Sequence, residues 1–211
     1  MGLFKIPRTC WKLWTVGTES IEEALPVDCI YLDFSKAFDP VPHLRLSRKL
    51  HALGIRGKIL QWIENILHNR RQRVCINGQL SSWAPVSPGF PQGSVLGPLL
   101  FVCYINDLLD TVVSGCEMFA DDTQIFGEVS TPGAAKIFQE NLDRLSAWSQ
   151  KWQLRFNASK CKVLHVASKV NTSNHNYVMN GATMESVKSE KDLGVTIDNQ
   201  LKFKDHVETQ L

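Results

Sequence analysis

An α+β domain is the fold class this sequence predicts, and three observations lead there. A nearly continuous apolar run, Val27 to Phe34, has the length and character of a strand buried on both faces. Two strand-like runs meet at Asp121-Asp122, and Asn77-Gly78 and Asn180-Gly181 mark two more hairpins. Phe138, Leu142, Leu145, Trp148 and Trp152 form one apolar stripe at helical spacing. The length, 211 residues, suits one modest domain or one domain with fragments, and a hydrophobic fraction of 44% is ordinary for a folded chain.

The formal charge of +2 hides an asymmetry. Between His43 and Arg73 stand eight basic residues against one acid, Glu64. A basic block in a chain that also carries paired carboxylates suits a polyanionic partner, and it equally suits a solvated face. The six cysteines are scattered with no C-x-x-C pair, so neither a zinc knuckle nor a disulfide framework is indicated and a reducing compartment fits. Met1 to Gly17 is broken by Lys5, Pro7, Arg8 and Lys12, unlike a secretory signal. The longest apolar run, Val95 to Ile105, is too short to span a bilayer and carries Pro98. The expectation is an intracellular protein of nucleus or cytoplasm, not secreted and without a membrane partner.

Taken in order, residues 1–26 read as an uneven segment in which Trp11–Trp14 and Ile21–Leu25 suit short helices ended by Pro26. After the Val27 strand, Asp39 before Pro40 suits a cap or a turn. Leu44 to Asn69 reads as a helix in two pieces, interrupted by Gly54 and Gly57. Arg73 to Trp83 reads as a hairpin turning at Asn77-Gly78. Pro88 to Ser94 is a compact Gly/Pro loop feeding an apolar helix after Pro98. Its glycines allow close backbone approach, and Gln92 and Ser94 offer hydrogen bonds near a helix start. Thr131 caps a helix with Pro132 at its first position. Cys161 to Ala167 reads as a strand, Tyr177 to Met184 as a hairpin and Asp192 to Ile197 as a further strand. Lys202 to Gln210 looks like a new helix cut short, which suggests truncation.

The acids carry the chemistry. Asp121 and Asp122 at a hairpin tip repel one another, and a divalent cation is a physical reason to keep them together; a plain turn is the alternative. A third acid, Asp33, ends the Val27 strand where solvent and ligands are reached. The expectation is that Asp33 and Asp121 converge on two metal ions with Asp122 beside them.

Several segments together match a known pattern. Tyr31-Leu32-Asp33-Phe34-Ser35-Lys36-Ala37-Phe38-Asp39, Gly89-Phe90-Pro91-Gln92-Gly93-Ser94 with Val95 to Phe101, Tyr104-Ile105-Asn106-Asp107 and Phe119-Ala120-Asp121-Asp122 follow in order. Trp152, Leu154, Asn157, Lys160 and Cys161, then Leu193-Gly194-Val195, continue it. The chain from Val27 to Val207 resembles the reverse transcriptases of non-LTR, LINE-type (jockey-like) retrotransposons. The resemblance implies a polymerase palm, a small antiparallel sheet packed on helices, over 27–200. Residues 1–26 are then a remnant of fingers or linking region, and 201–211 the start of a following element. Pro40 and Phe90 depart from the family, where Thr and Val are usual.

The resemblance also implies RNA-directed DNA synthesis: a deoxynucleoside triphosphate is added to the 3′-hydroxyl of a DNA primer on an RNA template, with two Mg²⁺ or Mn²⁺ ions. Asp33, Asp121 and Asp122 become the catalytic and metal-binding acids, with the backbone carbonyl of Phe34 as a further ligand and Lys160 as the general acid for pyrophosphate release. Phe38 becomes the residue under the sugar that excludes a 2′-hydroxyl, and Gln92 and Gly93 lie at the nucleotide. Gly89, Pro91, Ser94, Arg70, Arg71, Leu193 and Gly194 become template and primer contacts. The other reading is a catalytically inactive retrotransposon remnant that at most binds nucleic acid. A metal-dependent nuclease has only the three acids to support it.

Overall fold

The computed structural model describes residue 23 and residues 25–86, 88–91, 93–166 and 175–202. In chain order the described elements begin with β1 (Val27–Leu32), α1 (His43–Ala52), α2 (Gly57–Leu67), β2 (Arg71–Gln72), β3 (Cys75–Ile76), β4 (Gln79–Leu80), β5 (Ala84–Pro85) and α3 (Leu96–Ile105). They continue with β6 (Gly115–Phe119), β7 (Asp122–Glu128), α4 (Pro132–Trp152), β8 (Lys162–Val166), β9 (Val178–Met179), β10 (Ala182–Thr183), β11 (Glu185–Val187), β12 (Ser189–Asp192) and β13 (Val195–Asp198). The segments expected as helix at Trp11–Trp14, Ile21–Leu25 and Lys202–Gln210 lie, but for Glu23, Leu25 and Lys202, outside the described residues. The chain divides into two compact units, one of Lys36–Asn106 with Trp152–Leu154, the other of the described residues up to Ser35, Asp107–Lys151 and those from Arg155.

The second unit is built on a five-stranded sheet in the order β11-β8-β1-β7-β6. The apolar run of β1 takes the centre, where a strand has no solvent face, and pairs antiparallel with β7 and β8. The expected sheet was antiparallel throughout; β11 instead runs parallel to β8, so the sheet is mixed. A strand as short and polar as Glu185-Ser186-Val187 carries no apolar alternation to announce itself.

Cross-strand partners share a face of a sheet. Val27, Cys29, Phe126, Leu164 and Val166 therefore gather on one side, and Ile197 of the β12–β13 hairpin covers them. On the other side Gly127 faces Phe138 of α4: a Cβ there would lie 3.3 Å from the ring, so glycine makes the room. Thr131 caps α4 as expected, its hydroxyl accepting the Ala134 N–H at 3.2 Å. Phe138, Leu142, Leu145 and Trp148 of the stripe are buried, and the Trp148 indole donates to Asp107 at 2.9 Å.

Beneath this lies a buried polar group. Asp28 is fully buried; it accepts from the Tyr177 hydroxyl at 2.6 Å and from His165 Nδ1 at 2.6 Å, while His165 Nε2 lies 3.1 Å from Ser186 Oγ. A buried charge persists only with such partners. Burial, then the hydrogen bond to Asp28 and its charge, push the Tyr177 phenol above its ordinary range.

In the first unit α1 and α2 form as the spacing predicts, with Gly54 in the break between them and Gly57 opening α2, both with positive φ. The basic block is less exposed than its sequence implies. Lys49 is buried: its ammonium donates to the Tyr104 carbonyl and sits 3.8 Å from the centre of the Trp152 ring, an arrangement in which the aromatic face replaces lost solvent. Asn77 and Gly78, at φ 49° and 79°, form the expected two-residue turn between β3 and β4. Pairing of β2 with β5 extends this into an exposed arm carrying Val74, Ile76, Leu80 and Trp83. Helix α3 begins at Leu96, two residues ahead of Pro98, because the Ser94 hydroxyl accepts the Gly97 N–H at 3.1 Å and a proline is tolerated in a first turn.

Candidate active site

The acids lie at the ends of adjacent strands. Strand β1 ends at Leu32, paired with Thr123 of β7; one step further in that register sets Asp33 across from Asp122. Asp122 is the first residue of β7 and pairs with Phe119, so the hairpin turns on Ala120-Asp121 and not on Asp121-Asp122 as the sequence suggests. Ala120 holds φ at 54°, a left-handed conformation unusual for a residue with a Cβ and of the kind that clusters at functional turns. Both acids and their tip thus belong to the exposed end of a rigid sheet.

Asp33 is held from three directions. Its backbone carbonyl accepts the Asn157 N–H at 2.8 Å, and Ser35 N–H donates to the Arg155 carbonyl at 2.8 Å, framing a bridge between Phe34 and Phe156. Those two bonds use the carbonyls of Asp33 and Arg155, not that of Phe34. The rings of Phe34 and Phe156 stack at 4.5 Å, which fixes the segment. The Lys160 ammonium lies 3.2 and 3.4 Å from the two Asp33 carboxylate oxygens.

A cavity of about 320 Å³ opens here, lined among others by Asp33, Asp122, Lys160, Glu117 and Asp192. Asp121, half-buried on the turn, is not among its lining residues, yet its charge is felt. Partial desolvation, then the negative charges of Asp121, Asp33 and Asp192, push the Asp122 carboxyl above the ordinary carboxylate range, with Lys160 opposing. Five acids and three lysines, Lys160, Lys162 and Lys191, line the cavity, so negative charge outweighs positive there. Among the described residues no three His, Cys, Asp or Glu side chains are gathered closely enough to hold a metal ion as they stand. Hard carboxylate oxygens suit Mg²⁺ or Mn²⁺, and an ammonium already seated on Asp33 is a cation standing in at the same oxygens. By donor chemistry and charge the residues fit a divalent ion.

Sequence reasoning missed Asp192. It ends β12, and the segment read as one strand from Asp192 to Ile197 is in fact the second half of the β12–β13 hairpin, turning at Leu193 and Gly194 with φ of 46° and 87°. Leu-Gly is a weaker turn signal than Asn-Gly, so the reversal that brings Asp192 to the cavity was not visible. An acid directly before a glycine turn was the available clue.

The remaining expected residues lie in the first unit. Phe38 is half-buried, its ring 4.8 Å from Phe101 and edge-on to Phe90 at 6.2 Å. Phe90 is thus part of the Phe38 support. Gly89 is buried against the Phe38–Asp39 backbone; its N–H donates to Val41 O at 3.0 Å, and its carbonyl lies 2.8 Å from His43 Nε2 and accepts from Arg70 at 3.2 Å. Arg70 is engaged on this loop, while Arg71 is exposed on the arm and Arg73 stacks over Trp83 at 4.5 Å. The Ser94 hydroxyl donates to the Pro91 carbonyl at 2.7 Å, tying the loop to the start of α3. Gly93 is exposed, and Gln92 lies outside the described residues.

Comparison with known proteins decides the family. The model described as Reverse transcriptase (RNA-dependent DNA polymerase) matches residues 14–197. This chain belongs to the reverse transcriptase family. Among its relatives are the RNA-directed DNA polymerases from the mobile element jockey. The Drosophila melanogaster protein is 32% identical over 84% of this chain and 20% of its own length. The Drosophila funebris protein is 28% identical over 95% of this chain and 23% of its own length. The chain thus spans about a fifth of these non-LTR retrotransposon relatives. In fold it is similar to the telomerase of Candida tropicalis solved with a TWJ fragment of telomeric RNA, at a TM-score of 0.62 and 11% identity, over 92% of this chain and 32% of that one. The Candida albicans telomerase, also solved with such an RNA fragment, gives a TM-score of 0.59 at 11% identity, covering 90% of this chain and 32% of that one. The reverse transcriptase fold and the expected α+β class are borne out. No helix among the described residues is long and apolar enough to cross a membrane.

Proposed function

We propose that this chain is the catalytic palm of an RNA-directed DNA polymerase, joining a deoxynucleoside monophosphate unit to a primer 3′-hydroxyl on an RNA template. The observation that carries it is the placing of Asp33 and Asp122 on neighbouring strand ends, with Asp121 on the turn between β6 and β7, at a cavity where negative charge outweighs positive. Asp33, Asp121 and Asp122, with the Phe34 carbonyl, are the groups that would hold two Mg²⁺ or Mn²⁺ ions. When bound, such ions lower the pKa of an attacking hydroxyl and neutralise charge on the phosphate and leaving pyrophosphate.

The chain's own residues divide the remaining work. The sheet fixes the acids' backbones, so only their side chains would turn to meet the ions and the substrate. Lys160, on a turn anchored to Asp33, carries a proton and a positive charge at the place where pyrophosphate leaves. Phe38, stiffened by Phe90 and Phe101, offers a flat ring that rejects a ribose 2′-hydroxyl by volume. The loop from Gly89 through Pro91 and Gly93 to Ser94, with Gln92, supports the nascent pair, and Leu193-Gly194 the primer. Arg70 and Arg71 meet template phosphates. An intracellular setting suits the described cysteines, none of which is in a disulfide.

A second reading, nucleic-acid binding without turnover, draws on the exposed arm, where Arg71, Arg73 and Trp83 combine charge with a stacking surface. Primer extension separates the two. Purified chain with an RNA template, a DNA primer, deoxynucleotides and Mg²⁺ or Mn²⁺ should add nucleotides, and Asp121→Asn should stop extension while leaving the fold intact. Extension that survives Asp121→Asn removes the metal assignment. Salt-sensitive RNA binding without extension selects the second reading.

A further inference from the structure

The turn that carries Lys160 is tied to the residue its side chain neutralises. Asn157 donates its N–H to the backbone carbonyl of Asp33 at 2.8 Å, and the same Asn157 closes the turn: its carbonyl accepts from Lys160 at 2.9 Å and Cys161 at 3.1 Å, and its side-chain oxygen from Ser159 Oγ at 2.7 Å. The base of the lysine is therefore fixed relative to Asp33, 127 residues away in sequence, and its ammonium reaches both carboxylate oxygens. Its side chain is 63% exposed, so no packing traps the head group there. The neighbouring Lys162 is otherwise occupied, on Glu185 at the sheet edge. A tethered, exposed cation thus sits on Asp33 beside Asp122, whose carboxyl is pushed up by Asp121, Asp33 and Asp192 and drawn down by Lys160; Lys191 lines the same cavity.

We infer that Lys160 is a built-in counter-cation of these acids: it neutralises Asp33 until a divalent ion takes over those oxygens, and is displaced by it. This rests on the polymerase reading, in which Asp33 is a metal ligand. An ammonium and a divalent ion brought to the same two carboxylate oxygens repel one another, so the lysine competes with the metal. Displacement leaves the ammonium within its own length of the cavity, where the incoming triphosphate brings negative charge. The pair thereby makes the acid cluster tolerable in the absence of metal and sets a threshold for metal entry. An exposed ion pair is weak, so the threshold is low: removing the ammonium should tighten metal binding about two- to fivefold. Because the competition is electrostatic and exposed, the gain should shrink as salt rises.

The test is Mn²⁺ binding to the whole chain, followed by the electron paramagnetic resonance of free Mn²⁺ at low and high KCl, for the unsubstituted protein, Lys160→Met, Lys160→Arg and Asp33→Asn. Lys160→Met is expected to bind about two- to fivefold more tightly at low salt, converging on the unsubstituted protein at high salt, with Lys160→Arg unchanged. Lys160→Met binding no more tightly, while Asp33→Asn weakens binding, overturns the counter-cation and leaves the polymerase reading standing. Asp33→Asn binding as well as the unsubstituted protein overturns both. A measurement needing no substitution of Lys160 is its side-chain amine resonance during Mg²⁺ titration. The resonance should move as Mg²⁺ saturates, and one that stays fixed through saturation overturns the inference.

Discussion

Replacing Gly89 with alanine is the substitution whose cost the structure defines most closely. Gly89 sits at φ 84°, and a Cβ built there would lie 2.6 Å from the Asp39 carbonyl oxygen, 2.7 Å from that of Phe38 and 2.9 Å from the Asp39 Cα. All three are backbone atoms, so no side chain can swing aside. The left-handed conformation alone costs an alanine about 1–2 kcal/mol. Relieving the overlap means lifting the loop away from Phe38–Asp39. That strains the bond from Phe90 N–H to Phe38 O at 3.1 Å and the bond from Gly89 N–H to Val41 O at 3.0 Å. Each such bond contributes about 1 kcal/mol net, and more if a buried group is left unmatched. The total is about 3–5 kcal/mol. Gly93, at φ 76° and with nothing within 4 Å of a built Cβ, supplies the control, since Gly93→Ala pays only the conformational part, about 1–2 kcal/mol. Urea denaturation followed by circular dichroism measures both, with the larger loss equivalent to roughly 6–20 °C in melting temperature. Two variants equally stable within 1 kcal/mol would refute the close approach of the Gly89 loop to the Phe38 turn.

Three further outcomes follow from the same geometry. Asp122→Asn should stabilise the metal-free chain near pH 7 by a few tenths of a kcal/mol to about 1 kcal/mol, because the exposed carboxylate is held among like charges. The folded carboxyl ionises at higher pH than the unfolded one, so Asp122 favours folding at acid pH and loses that contribution as pH rises through its folded value; the benefit of the substitution should therefore vanish in melts near pH 3. Tyr177→Phe should cost about 1.5–3 kcal/mol in denaturant titrations, the range for a hydrogen bond to a charged group, since it removes a donor from the fully buried Asp28. Phe38→Val should raise ribonucleotide relative to deoxynucleotide incorporation at least tenfold in single-nucleotide extension, a change of about 1.4 kcal/mol in discrimination.

Where local chemistry is decisive, the sequence was enough. The Val27 run suited a central strand and is one, and Asn77-Gly78 and Asn180-Gly181, read as turns, do turn with positive φ. Thr131 and the five-residue stripe determined α4. What escaped depends on contacts distant in sequence. The parallel addition of β11, too short and polar to announce itself, is one case. Lys49 reads as a surface cation until Tyr104 and Trp152 close over it. The acids were legible as candidates, but not the fourth acid, Asp192, which the Leu193-Gly194 turn brings to the cavity, nor the ion pair joining Lys160 to Asp33. Arg70 and Ser94, read as ligand contacts, also have polar atoms that hold the Gly89–Ser94 loop in place, a role set by contacts the sequence did not show.

The central claim is that acids on separate strands serve one cation-binding point at the exposed end of the sheet. Paramagnetic broadening of backbone amide resonances by trace Mn²⁺ tests it most directly. The account predicts broadening centred on residues 33–34 and 120–122, competed away by Mg²⁺ and lost in Asp33→Asn. Broadening centred elsewhere, or unchanged by Asp33→Asn, contradicts it.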